Sequence, residues 1–274
     1  MSISSLIAAA GERLTPTERR IAEAVLADPT LLAFGRVSDL ADRVGTSRPS
    51  IVRFATKLGF EGYTDLQDQV RDGFSEQLSR PSERIRQEST SLAPSLSALE
   101  SGLASVFAAF DEEKLAAFAE PIVSAKNVWI ITGETSRAGA HALLSGLTII
   151  RPDVHLVEEH SKGRVLSSAT ADDAAVVFDF ARYRQHSITA AQSLADFGVK
   201  IVAITDGPLS PLAAMTDLWC ELETPAIGPF DSSVPAVAAA ELIVSVVATE
   251  LRDQARERID RTEALWQSTG TFLP

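Results

Sequence analysis

The stretch RVSDLADRVGTSRPSIVRFATKLGF, Arg36 to Phe60, decides the reading of this chain. Ser38 is a good N-cap for a helix that carries Leu40, Ala41 and Val44 on one face. Gly45 supplies the left-handed residue that a helix end usually needs. Ser47 is placed to cap a second helix, with Pro49 in its first turn, where a missing N–H costs nothing. Ile51, Phe54, Ala55 and Leu58 form the buried stripe of that second helix. Ser47, Arg48, Ser50, Arg53 and Lys57 are left for the outer surface. Two helices joined by a tight glycine turn make the helix-turn-helix arrangement, which seats its second helix in a DNA major groove. Those five residues are therefore the expected DNA-contacting set, and double-stranded operator DNA is the expected partner.

The flanks add to this. Leu14-Thr15 to Arg20 opens the region, Asp28-Pro29 breaks it, and Arg53-Phe54, Leu58-Gly59-Phe60 and Gly62-Tyr63 to Leu66 complete it. In these pieces roughly residues 1 to 77 resemble the N-terminal domain of the RpiR family of bacterial transcriptional regulators.

Composition sets the outer limits. At 274 residues the chain is long enough for two domains with a substantial core. Its hydrophobic content of 45% and charged content of 23% are those of a folded protein. The net charge of −12 argues against a surface that binds nucleic acid everywhere. Between Arg36 and Lys57, however, Arg36, Arg43, Arg48, Arg53 and Lys57 outnumber Asp39 and Asp42, and the acidic surplus lies almost entirely after residue 80. A local basic patch on an acidic chain suits selective DNA binding. The single cysteine, Cys220, excludes an intramolecular disulfide, fits a reducing cytoplasm and sits in an apolar stretch that reads as core. The N-terminus MSISSLIAAAGERL lacks the basic start of a signal peptide, and no uninterrupted apolar run reaches membrane length. The apolar stretch Val234 to Ala248 reads as a buried helix.

Three segments follow from patterning. Residues 1–78 read as an all-α helix-turn-helix bundle. Residues 79–104 read as a linker and connecting helix, because Ser79 to Pro94 mixes Ser, Pro and alternating charge. Leu99, Leu103, Val106, Phe107 and Phe110, then Leu115, Phe118 and Ile122, recur at helical spacing and are expected in the core. From Asn127 the period changes. NVWIIT, VHLVE, AAVVFDFA, KIVAITD and LWCELE are short β-branched runs separated by amphipathic stretches. That alternation predicts, over residues 105–266, a three-layer α/β domain with a five-stranded parallel sheet, doubly wound, whose ligand site lies at the carboxyl ends of the strands.

Within this half, Ile204-Thr205-Asp206, Ser210-Pro211-Leu212 and Thr216-Asp217 resemble the SIS (sugar isomerase) domain, a resemblance that covers roughly residues 105 to 262. It implies a phosphosugar or related carbohydrate intermediate as ligand. The order of the two resemblances is that of RpiR-type regulators.

Candidate ligand contacts come from three loops. Thr132-Gly133-Glu134-Thr135-Ser136 joins the first strand to a helix, a phosphate-binding outline in which Gly133, Thr135 and Ser136 are the contacts. It is neither a P-loop nor a Rossmann fingerprint, and no cofactor is expected. SIS domains usually carry Ser-x-Ser-Gly-x-Thr after the third strand, with hydroxyls that hold the sugar phosphate. Here that region reads Asp179-Phe180-Ala181-Arg182-Tyr183-Arg184-Gln185-His186-Ser187, without the serines or the glycine. Arg182 and Arg184 are anion candidates, since a guanidinium meets phosphate or carboxylate with two hydrogen bonds; the alternative is solvation or structural ion pairing. Ser232, at an expected helix N-cap, completes the set, and capping alone also accounts for it.

The rival function is a sugar-phosphate isomerase, which needs a positioned base. Glu134, His186 and Glu241 are the candidates, in no identifying spacing. His141, His155 and His160 show no metal-ligand pattern. The reading is a cytoplasmic, non-enzymatic DNA-binding regulator that senses a small anionic metabolite and associates as a homodimer or tetramer.

Overall fold

The computed structural model describes residues 7, 10, 14–27, 32, 36–68, 70, 84, 92–134, 136–208 and 210–272. The Asp28-Pro29 break, the expected domain end between Gly73 and Leu78, most of the linker and Thr135 lie outside them. The chain divides into two compact units, Met1–Arg80 and Pro81–Pro274.

In the first unit, α1 spans Pro16–Ala27, α2 Val37–Val44 and α3 Arg48–Lys57. Ile21, Val25, Leu40, Ile51, Phe54 and Leu66 are fully buried and make one apolar cluster with Ala55, Leu58 and Tyr63. The start of α2 corrects the sequence reading: the N-cap residue is Arg36, not Ser38. Asp39 Oδ2 accepts the Arg36 backbone N–H at 2.8 Å, which satisfies that donor from the third helical position. Gly45 ends α2 with φ 65°, and the Thr46 N–H reaches back to the Ala41 carbonyl at 2.9 Å.

The second unit begins with α4 (Leu92–Ala109) and α5 (Glu112–Ser124). Five strands follow: β1 Val128–Thr132, β2 Val154–Leu156, β3 Ala174–Phe178, β4 Lys200–Thr205 and β5 Trp219–Glu221. Between them lie α6 (Arg137–Ile150), α7 (Lys162–Leu166) and α8 (Gln185–Asp196). A two-stranded ribbon, β6 Ala226–Ile227 and β7 Phe230–Asp231, precedes α9 (Val234–Leu251) and α10 (Asp253–Thr269). The sheet order is β2-β1-β3-β4-β5, and every pairing is parallel.

Alternation along β1 divides the core in two. Val128 and Ile130 face a cluster with Phe118, Leu143, Leu147, Ala240 and Ile243, from α5, α6 and α9. Trp129 and Ile131 face Leu166, Ala190, Ala191 and Leu194, from α7 and α8. Strands buried on both faces read as continuous apolar runs for this reason.

In α4 the structure covers Gly102 and Val106, with Phe110 just beyond its end, but leaves Leu103 and Phe107 36% and 67% exposed. Both were expected in the core; they lie about 100° around the helix from the covered residues, beyond the contact with the rest of the unit. Both α4 and α9 are long and apolar enough to cross a membrane by length and composition alone. α9 instead packs on α4, α5, α6 and α10, with Pro235, Ala236, Ala239, Ala240, Ile243 and Val247 buried.

The α6–α9 contact depends on small residues. A Cβ on Gly139 would lie 2.7 Å from Ala236 Cβ and 3.0 Å from its backbone. Gly139→Ala is expected to destabilise the protein by about 1–3 kcal/mol despite the better helix propensity of alanine, because backbone has to move. Urea denaturation checks this.

Candidate functional site

On the first unit, α3 presents Arg48, Pro49, Val52, Arg53 and Thr56 as exposed residues, with Ser50 half-buried among them. Ser47 Oγ and Ser50 Oγ lie 3.0 Å apart, and Arg53 Nη2 donates to Ser50 Oγ at 3.2 Å. Three of the expected DNA contacts are thus linked in one chain of hydrogen bonds. The turn in front of them is clamped from α1: Arg20 Nη2 donates to the carbonyls of Val44 at 2.6 Å and Gly45 at 3.3 Å.

Lys57 stands apart from this group. Its Nζ lies 2.7 Å from Glu18 Oε2, with the two side chains 31% and 13% exposed. Glu18 also accepts the Thr15 backbone N–H at 2.7 Å and its hydroxyl at 2.9 Å. Burial pushes the Glu18 carboxyl up, but Lys57 and the two Thr15 donors outweigh it and hold the group below its ordinary range. Lys57 is therefore engaged in joining α3 to α1. Lys57→Met is expected to lower the stability of the chain by about 0.5–1 kcal/mol, read by thermal denaturation.

On the second unit, the carboxyl ends of β1 and β2 and the start of α8 enclose a cleft of about 380 Å³. Its lining includes Thr132, Gly133 and Glu134 after β1, Glu158 and Glu159 after β2, Arg137 of α6, and Arg184 and His186 at the head of α8. The edge between β1 and β3, where the chain reverses its direction of travel across the sheet, is where such folds place ligands.

Of the expected effector contacts among the described residues, only Gly133 and Arg184 line this cleft, together with the isomerase candidates Glu134 and His186. Ser136 is buried beneath it, where its hydroxyl donates to the Phe178 carbonyl at 2.8 Å and meets Thr132 Oγ1 at 3.1 Å. Arg182 is exposed at a left-handed turn, φ 73°, off the lining. Ser232 accepts the Val234 N–H at 3.3 Å, a helix-start contact, and also lies off the lining. Arg137, Glu158 and Glu159 went unnoticed in the sequence, because nothing in the loop after β2 signals that it meets the head of α8.

Charge in the cleft is largely paired. Arg184 bonds Glu134, and Arg137 lies 3.6 Å from Glu158. His186 Nδ1 is buried without a hydrogen-bond partner; burial, reinforced by Lys162, lowers the imidazole pKa against the pull of Glu159 and the Val157 carbonyl. The isomerase candidates do not converge: Glu134 and His186 share the cleft, while Glu241 is exposed on α9 and lines no part of it. Among the described residues no group of three or more His, Cys, Asp or Glu is placed to hold a metal. His155 stacks on Trp129 at 5.0 Å, and Cys220 is fully buried.

The β3–α8 loop is held by two aspartates. Asp206 accepts the Ala181 N–H at 2.7 Å and the Tyr183 hydroxyl at 2.6 Å. Asp179 accepts the Arg184 N–H at 3.0 Å and the Ser187 hydroxyl. Burial pushes the Asp179 carboxyl from 3.8 up to about 6; the donors of Ser187, Arg184 and Phe180 oppose the rise, and the neighbouring Asp206 adds to it. Between about pH 4 and 6 the folded chain keeps a proton that the unfolded chain has released, so this group disfavours folding as pH rises through that window. Relative to Asp179→Asn, the wild type is expected to gain thermal stability as pH falls from 7 to about 4.5, a comparison made by melting both proteins across a buffer series.

A helical unit with an exposed basic face on its helix-turn-helix and an SIS-type α/β unit with a strand-end cleft define a helix-turn-helix transcriptional regulator with an SIS domain. The chain belongs to the RpiR family: residues 1–77 match the helix-turn-helix domain of the rpiR family, and residues 122–246 match the SIS domain. An uncharacterized HTH-type transcriptional regulator of Caldanaerobacter subterraneus subsp. tengcongensis is 24% identical over 208 residues, 74% of each chain. The sugar isomerase domain of an RpiR transcription factor from Sphaerobacter thermophilus superposes with a TM-score of 0.58 at 20% identity, covering 64% of this chain and 99% of that one. The Vibrio vulnificus NanR protein, in complex with ManNAc-6P, gives a TM-score of 0.55 at 18% identity over 98% and 99% of the two chains.

Proposed function

We propose that this chain is a cytoplasmic DNA-binding transcriptional regulator whose SIS-like unit binds a small anionic metabolite, with a phosphosugar or related carbohydrate intermediate the expected class. The observation that carries the reading is the presence in one chain of the outward-facing Ser47, Arg48, Ser50 and Arg53 at and along the start of α3 and of a strand-end cleft on the second unit. The family membership and the ManNAc-6P complex of NanR support the same assignment. Residues 1–78 act as the DNA-binding segment, 79–104 as connector and 105–266 as effector segment.

An effector changes DNA affinity only by binding the DNA-competent and incompetent arrangements differently. No cofactor enters this scheme. Isomerase activity is disfavoured because the candidate bases Glu134, His186 and Glu241 do not converge on one cleft. One reading helix contacts few base pairs, so the protein acts as a homodimer or tetramer on two half-sites about 34–36 Å apart.

Arg53→Ala is expected to weaken operator binding by about 1–3 kcal/mol with folding unchanged. Fluorescence anisotropy on the operator, together with circular dichroism, reads both. Undiminished affinity in Arg48→Ala and Arg53→Ala alike would remove α3 as the reading helix. A thermal-shift screen of sugar phosphates and small acids on the full chain, followed by anisotropy with each hit, tests the effector half.

A further inference from the structure

We infer that Asp179 is a specificity-determining residue of the effector cleft: its carboxylate occupies the anion position at the head of α8, so a ligand's acidic group is met by Arg137 and Arg184 instead. The inference rests on the reading of this cleft as the effector site.

The head of a helix attracts an anion because its first N–H groups are unpaired and its dipole is positive there. In α8 one of these N–H groups, that of the N-cap residue Arg184, is met from within the chain. Asp179 is 1% exposed, and one of its oxygens accepts from both the Arg184 N–H and the Ser187 hydroxyl. Its other oxygen lies where a side chain on Gly133 would begin, so the space between the β1 loop and α8 is filled by this one carboxylate. Any residue larger than glycine at 133 collides with it. Asp206, which follows β4 and is bonded to Ala181 and Tyr183, places a second carboxylate against the same loop. A phosphate dianion entering this space would face like charge at short range in a partly buried setting, where repulsion is weakly screened.

The two arginines offer the remaining route. Arg137 and Glu158 are 53% and 44% exposed, and Arg184 and Glu134 are 57% and 65% exposed. Exposed pairs of this kind are worth about 0–1 kcal/mol, so an incoming acid can exchange with either glutamate. The ligand this favours is a small polar metabolite whose acid group replaces a glutamate carboxylate on a guanidinium.

The test titrates inorganic phosphate into the full-length protein, wild type and Asp179→Ser, by isothermal calorimetry. Asp179→Asn, which removes the charge and keeps the size, serves as second variant; circular dichroism verifies folding. At least a tenfold tighter phosphate affinity is expected in Asp179→Ser than in the wild type, with a smaller gain in Asp179→Asn, which loses the charge but still fills the space. The gain should persist when Arg137 and Arg184 are both replaced by glutamine. Equal phosphate affinity in all three proteins, or no binding in any, overturns the role of Asp179. If a metabolite shifts wild-type operator affinity while neither variant gains phosphate, the effector reading stands without it. If the variants gain phosphate and no metabolite shifts operator affinity, the effector reading fails while the resident carboxylate is upheld.

Discussion

Parallel strand pairing is the constraint from which the second unit follows. Parallel neighbours need a crossover, so each strand is followed by a segment that returns across the sheet to its starting edge. All five strands therefore point their carboxyl ends the same way, and the loops after β1, β2 and β3 are gathered on one edge although up to about fifty residues separate them. The order β2-β1-β3-β4-β5 places the reversal between β1 and β3, beside the loop that carries Gly133. Coverage of both faces follows from the same pairing, as the alternate residues of β1 in separate clusters show.

Two buried aspartates illustrate how position decides chemistry at the two edges of that sheet. Asp173, at the amino-terminal edge, accepts from Asn127 through backbone and side chain, from Trp129 Nε1 and from the Thr170 N–H. Burial would raise its pKa, yet four donors outweigh it and the group stays below its ordinary range. Asp179, at the carboxyl-terminal edge, has fewer donors and a carboxylate neighbour, and burial wins. The first is a structural tie between β1 and the loop before β3. The second holds a loop that borders a cleft, at an electrostatic cost that the ordinary core does not carry.

The first unit is organised around the turn between α2 and α3. Gly45 makes the backbone reversal, and Arg20 reaches from α1 to bond the carbonyls that the reversal exposes. The Thr15–Glu18 start of α1 extends to Lys57 at the far end of α3. Both ends of α3 are thus referred to the same helix, which keeps Arg48, Ser50 and Arg53 in a fixed register on its outer side. Rigid support of this kind is what the proposed DNA-reading role of α3 requires.

Much of this was legible in the sequence because the signals are local. Gly45, Pro49 and the Ile51-Phe54-Ala55-Leu58 stripe specify the helix pair within about fifteen residues, and five β-branched runs mark the five strands. Local pattern sufficed less well at the margins: helical spacing placed Leu103 and Phe107 in the core, but which apolar residues are covered depends on what packs against the helix. The candidate site was the least legible part. Gly133 and Arg184 could be picked out by residue type, whereas Arg137, Glu158 and the internal placement of Asp179 could not. The sequence by itself determined helices, strands and their order, since backbone preference and apolar period act over a few residues. Only the tertiary structure decided which loops meet, that Lys57 turns to Glu18, and that Asp179 accepts from Arg184 and Ser187 at the head of α8, because charge pairing and desolvation depend on neighbours brought from elsewhere in the chain.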